Sequence, residues 1–370
     1  MDPRQPSRRS LIKAAAFIAA GAMSKSVHAE GVREPFFLTR GVVLTPSDIE
    51  TLDWPARAQQ AGLTTIAMHI FPHQIAAFVK TDRGQAFLDA CRTRSIQVEH
   101  ELHAMSDLLP RDLFAKDPTM FRMNEKGQRS PDANLCVNSK NALATVCENA
   151  VNYAQILRPT TGRYFYWIDD AQPMCRCEKC RGFSDSDQAL ILENAVLQAL
   201  RKIDPRATLA HLSYGRTLKA PTQVKPDRGI FLEFAPIHRQ YDRPLSDRAA
   251  PGDIPAEDFA DRSHGEALDL LDANLAVFGS EGAQALEYWL DMSRAARWNR
   301  KNLRELPWHE NVFLDDLKTY AQRGVRHITS FAVWLDGEYV KRFGDPPLNS
   351  YGAGMHRWQL AGGKAVEKSK

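Results

Sequence analysis

The sequence has little that would carry it across a bilayer. Its one long apolar run, Ala14–Met23, holds ten residues, where a membrane span needs about 20. A multi-span membrane protein is thereby excluded. No Gly-x-Gly-x-x-Gly follows the first β-rich stretch and no Walker pattern occurs anywhere, which argues against an open nucleotide-binding sheet. Gly-x-Ser-x-Gly and His-Glu-x-x-His are both absent, so no familiar nucleophile or zinc-protease signature competes. No repeat of about 20–50 residues is present, which excludes a solenoid or propeller. A basic excess is missing as well. The net charge of +3 belongs to residues 1–29, where Arg4, Arg8, Arg9, Lys13 and Lys25 face only Asp2, and the remainder carries −1. That remainder has no electrostatic footprint for a phosphate backbone, so nucleic acid is not an expected partner.

What is present is an ordinary globular composition, 44% hydrophobic and 25% charged over 370 residues. That length suits one large domain, since a (β/α)8 barrel takes about 250 residues plus insertions. Residues 1–29 read as an export signal. Ser7-Arg8-Arg9-Ser10-Leu11-Ile12-Lys13 resembles the twin-arginine consensus, the short apolar run follows it, and Val27-His28-Ala29 is a small-x-small cleavage site. The expectation is cleavage after Ala29, a bacterial source, the twin-arginine translocase as partner during export, and a soluble periplasmic or secreted mature protein.

Along the mature chain, apolar β-rich runs alternate with helical patterns. The runs are 36–45, 63–70, 96–103, 163–168, 208–214, 229–234, 285–289 and 327–334; the principal helices are expected over 74–94, 139–157, 187–203, 264–278 and 311–323. Eight strands in such alternation predict a single (β/α)8 TIM-type barrel over residues 30–360 with long βα loops, the longest at 104–138, and a frayed tail over 361–370.

In such a barrel, active-site groups come from the carboxyl ends of the strands. Here those ends are acidic and aromatic. Strand 2 exits with His69, strand 3 carries Glu99, Glu101 and His103, and strand 4 exits through Trp167 to Asp169-Asp170. Tyr214 closes strand 5, Glu233 lies in strand 6, Glu287 and Trp289 in strand 7, and Trp334 and Asp336 end strand 8. Carboxylates are costly to bury unpaired, so their convergence points to acid–base chemistry or cation binding. The faces of Tyr166, Trp167, Tyr288, Trp289, Trp298 and Trp334 suit the CH faces of sugar rings. Together these features favour glycoside hydrolysis. The expected substrate-binding set is Glu101, His103, Trp167, Tyr214, Glu233, Glu287, Trp289, Trp334 and Asp336.

The stretch Ile168-Asp169-Asp170-Ala171-Gln172-Pro173-Met174-Cys175-Arg176-Cys177-Glu178-Lys179-Cys180 resembles the bacterial domain of unknown function 4838 family, in which an acidic strand exit is followed by Cys-x-Cys-x-x-Cys. Pro118–Asn124, Leu135–Asn138, Leu286–Trp289 and Phe331–Asp336 are similar to it too. The resemblance implies a glycosidase-type barrel, some relatives being endo-β-N-acetylglucosaminidases. The Asp169-Asp170 pair is also similar to the paired acids of barrel enzymes that hydrolyse N-acetylglucosaminides, which implies a substrate-assisted retaining mechanism on an N-acetylhexosaminide. In that mechanism Asp169 orients the substrate's 2-acetamido group, which acts as nucleophile, and Asp170 protonates the leaving oxygen and then activates water. No cofactor is required for that chemistry. The rivals are a non-catalytic carbohydrate-binding barrel and a metalloenzyme using the cysteine cluster.

Six cysteines complete the picture. Cys175, Cys177 and Cys180, with Cys136 as a fourth, hold a structural zinc, form disulfides in an oxidising compartment, or stay free thiols. Cys91 and Cys147 fall on apolar helix faces and read as buried and inert.

Overall fold

The β-rich runs become eight parallel strands: β1 (Thr39–Leu44), β2 (Thr65–Ile70), β3 (Gln97–His103), β4 (Arg163–Trp167), β5 (Thr208–Ser213), β6 (Ile230–Phe234), β7 (Gln284–Glu287) and β8 (His327–Phe331). They pair in chain order, and β8 closes on β1 with Thr39 opposite His327. The fold is a closed (β/α)8 barrel. The structure, a computed structural model, describes residues 34–253 and 262–368. The leader over 1–29 lies outside the described residues. Among those described, no helix is long and apolar enough to cross a membrane.

Short polar signals set the element boundaries. Ser139 opens helix Lys140–Ile156 by accepting the Ala142 N–H, and Ser184 opens helix Asp185–Leu200 by accepting the Asp187 N–H, satisfying donors that have no partner within the helix. The single helix expected over 74–94 is instead two, Pro72–Val79 and Asp82–Thr93. Thr81 is extended and its side chain accepts the Gly84 N–H, so a capping residue interrupts what apolar periodicity reads as continuous.

The tail also differs from expectation. Trp358–Ala361 (β9) and Lys364–Glu367 (β10) pair antiparallel around Gly362-Gly363, both at positive φ, the conformation a two-residue hairpin turn needs and glycine supplies. The Leu360 N–H donates to the Glu34 carbonyl and the Phe36 N–H to the Trp358 carbonyl, so the hairpin is tied to the residues that lead into β1. Inside the long 104–138 loop lie only a one-turn helix, Met105–Leu108, and two 3-10 turns.

Candidate active site

Side chains alternate between barrel interior and helix-facing exterior. The phase of each strand therefore decides which acids reach the mouth. Gln284 of β7 donates to Glu101 Oε1 (3.1 Å) in β3, Glu233 Oε1 (2.9 Å) in β6 and Thr329 Oγ1 (3.2 Å) in β8. These contacts cross the barrel, so Glu101 and Glu233 belong to an interior polar layer. Below them Glu99 accepts from Thr161 (2.7 Å) and faces Arg163, whose guanidinium also stacks over Phe231 at 3.8 Å. Burial raises the proton affinity of all three acids, Glu101 most clearly because Glu233 and Glu99 add repulsion, and pushes Glu233 up to about 8. Trp167 Nε1 donates to Glu233 Oε2 at 2.8 Å. Its indole thus covers the polar layer and forms the floor of what lies above.

Above it, at the carboxyl ends of the strands, is a cavity of about 380 Å³, within the size range of ligand pockets. Trp167, Tyr214, Tyr288, Trp298 and Trp334 supply its aromatic walls, and His69, His103, Asp170 and Asp291 its titratable groups. His69 Nδ1–H donates to the Glu101 carbonyl (2.8 Å) and His103 Nδ1–H to the Ile168 carbonyl (3.0 Å). A carbonyl only accepts, so Nε2 is the unprotonated ring nitrogen of each neutral imidazole and has no partner among the described residues. Burial, reinforced by His103, pushes His69 down to about 3, which keeps it neutral. Asp170 is exposed and makes no hydrogen bond or ion pair among the described residues. Asp291 is buried; its Oδ1 accepts from Ser293 N, Ser293 Oγ and Arg294 N, while its Oδ2 accepts from none among the described residues. Burial raises the proton affinity of this acid too.

The backbone around the cavity is unusual. Ala171, Trp298 and Trp334 have φ of +51°, +53° and +69°, a region that costs a non-glycine residue on the order of 1–3 kcal/mol and concentrates at functional sites.

The structure separates the paired aspartates. Asp169 turns from the cavity and accepts from the Arg111 guanidinium and the Asn134 N–H; its own N–H donates to Asn134 Oδ1 (2.9 Å). It ties the strand exit to the 104–138 loop. Successive residues point opposite ways, and the turn at Ala171 does not bring both carboxylates to one side.

Three other expected substrate ligands are elsewhere. Glu287 follows the inward Leu286 and so faces the helices. There it accepts from Arg239 Nη1 (3.1 Å), Tyr320 Oη (2.5 Å) and Tyr241 Oη (2.9 Å). Trp289 Nε1 donates to Asp316 Oδ2 (2.9 Å), which also pairs with Arg239 (2.7 Å). Both residues serve a fully buried ion network behind β7. Asp336 caps helix Gly337–Phe343 through the Tyr339 N–H (3.0 Å) and pairs with Arg300; the Arg300 guanidinium lies 5.3 Å over Trp334, so Asp336 holds a wall rather than the ligand. Glu101 and Glu233 are likewise beneath the cavity, not on it. His103, Trp167, Tyr214, Trp334 and Asp170 do line it.

Tyr288 and Trp298, read from the sequence as sugar-stacking faces, and His69, read as a strand exit, also line the cavity, and Asp291 is the lining acid that sequence reasoning missed. Asp291 gave no signal of a site, because Asp291-Met292-Ser293 reads as a helix cap, which it also is. The sulfurs of Cys136, Cys175, Cys177 and Cys180 come together in a buried group away from the cavity lining, with no disulfide among them.

Residues 46–263 match the family described as a domain of unknown function, DUF4838. Among solved structures, the chain is similar to a glycoside hydrolase family 5 endoglucanase of broad specificity from an uncultured bacterium (11% identity, 84% of this chain and 86% of the other, TM-score 0.47). It is also similar to a family 5 enzyme from Prevotella bryantii B14 (10%, 88% and 98%, 0.45) and to a family 20 β-N-acetylglucosaminidase (10%, 86% and 70%, 0.44). The likeness is one of fold. No curated protein sequence matches the chain.

Proposed function

The chain belongs to the DUF4838 family, and from that premise and the chemistry of the barrel mouth we propose that it is a glycoside hydrolase acting on an N-acetylhexosaminide. The observation that carries this reading is a cavity with aromatic walls, sized for a sugar, into which Asp170, a carboxylate unpaired among the described residues, is exposed. The indole and phenol faces take the apolar faces of a pyranose, and the free Nε2 atoms of His69 and His103 accept from its hydroxyls. Asp170 donates a proton to the leaving oxygen and then takes one from water.

The substrate-assisted route needs a second acid to hold the acetamide. With Asp169 engaged by Arg111 and Asn134, that role passes in our reading to Asp291 through Oδ2. The acetamido oxygen attacks the anomeric carbon as the leaving group departs, and water opens the cyclised intermediate with retention. The catalytic-metal alternative draws no support from the cavity, whose lining contains no cysteine.

Aryl N-acetylglucosaminides assayed beside plain aryl glucosides test this. The acetamide is expected to be required. D170N is expected to lose about 10²–10⁴-fold in rate, the range of general acid–base catalysis, most on substrates with poor leaving groups, while still binding a thiazoline mimic of the intermediate. Equal cleavage of plain glucosides would remove the acetamide from the mechanism and make Asp170 and Asp291 an acid–nucleophile pair. Binding without turnover of any glycoside would favour the carbohydrate-binding alternative. We also propose export through the twin-arginine route with cleavage after Ala29; Arg8-Arg9 changed to Lys-Lys should hold the precursor in the cytoplasm, and normal export of that variant would refute it.

A further inference from the structure

We propose that Cys136, Cys175, Cys177 and Cys180 form a structural zinc site. The four Sγ atoms lie within 4.8 Å of one another, and Cys136 Sγ stands 3.8 Å from both Cys177 Sγ and Cys180 Sγ. Four sulfurs at about 2.3 Å from a central zinc, at the corners of a tetrahedron, stand about 3.8 Å apart. A disulfide brings its two sulfurs to about 2.05 Å. The spacing here is that of a shared ion, not of two covalent pairs.

The surroundings fit thiolates. The Met123 N–H and Cys177 N–H point at Cys175 Sγ (3.3 and 3.5 Å), and Asn138 Nδ2 donates to Cys180 Sγ (3.2 Å). Such donors accompany metal-bound sulfur and hold it in place. Cys180 N–H and Arg181 N–H both return to the Cys177 carbonyl (2.9 Å each), a tight turn that aims two sulfurs at one point. Arg129, beside Cys136, faces the negative site.

An all-thiolate tetrahedron selects zinc over harder divalent ions. On binding, the four thiols give up their protons and zinc changes neither its own oxidation state nor theirs. Four protein ligands leave no open position, so the site is structural rather than catalytic. Its effect is to lock the 104–138 loop, which contributes Cys136, to the segment after β4, which contributes the other three. Asn134, two residues before Cys136, binds Asp169 and also donates to the Gln172 and Pro173 carbonyls (3.1 Å each). The metal would thus fix the turn that bears Asp170. That consequence for catalysis rests on the glycosidase reading; the existence of the site does not.

The full chain, purified without added metal or reductant, tests this by elemental analysis and thiol titration. The expected result is about one zinc per chain, together with six titratable thiols in denaturant plus chelator. Two thiols would mean two disulfides and overturn the proposal, as would less than about half a zinc per chain, or iron in its place. C180S should surrender zinc to a chelator at least about tenfold faster than wild type, the lower bound for disturbing even an outer partner, whereas C147A should behave as wild type. Should C180S not fold, cobalt(II) loaded into the wild-type chain decides: a tetrahedral thiolate spectrum supports the site, and an octahedral one refutes it.

Discussion

Replacing Glu233 by glutamine tests the interior layer beneath the cavity. The substitution keeps the shape and an oxygen for the Trp167 N–H, and removes one ionisable proton. In the unfolded chain this carboxyl titrates near 4.5, and inside the barrel near 8, because burial disfavours its charged form. The folded protein therefore holds a proton that the unfolded chain releases across that window. Stability is full below about pH 4.5 and falls as pH rises towards 8. The slope cannot exceed about 1.4 kcal/mol per pH unit, nor the total about 5 kcal/mol. The real loss is smaller, since Arg163 and the neighbouring acids share the charge. Urea denaturation of wild type and E233Q at pH 5.5 and 7.5 gives the difference directly, other titrating groups being common to both. Wild type should lose roughly 1–3 kcal/mol more than E233Q over that interval. Parallel pH profiles for the two proteins would refute the claim that this layer is protonated at neutral pH.

D169N should lower stability by about 1.5–3 kcal/mol, the worth of charge-assisted hydrogen bonds, and reduce turnover far less than D170N; equal losses would return Asp169 to the catalytic machinery. W298A removes a cavity wall that is 55% exposed, so KM should rise several-fold with little change in melting temperature, and an unchanged KM would take Trp298 out of the ligand's path. G352A should destabilise by at least about 1–3 kcal/mol, because the new Cβ would stand 1.8 Å from the Ala61 carbonyl oxygen; a wild-type melting point would contradict the packing of helix Leu348–His356 against that loop.

Strand number and order were legible because buried parallel strands are short apolar runs, and each run recurred after a helix. What the pattern did not carry was phase. Taking β7 as 285–289 left Glu287 equally able to face in or out, and one residue decides between a sugar ligand and an ion network with Arg239. The same ambiguity joined Asp169 to Asp170. Asp291 sits beyond β7 in a segment without periodicity, so nothing local linked it to the mouth. The cysteines were the reverse: Cys-x-Cys-x-x-Cys marked three of them at once. The long loop offered Cys136, although the sequence left open what the four thiols do together. The hairpin at 358–367 was missed because its turn signal, Gly362-Gly363, lies among small and charged residues that read as fraying.

The left-handed backbone at Trp298 and Trp334 sets two selective pressures against each other. Glycine or asparagine occupies that conformation more comfortably than tryptophan does. A library screened for heat resistance alone should therefore drift towards small residues at both positions, and the winners should be sturdier proteins with no platform for a ring. Screening for ligand retention should instead keep both indoles and accumulate its stabilising changes elsewhere in the barrel.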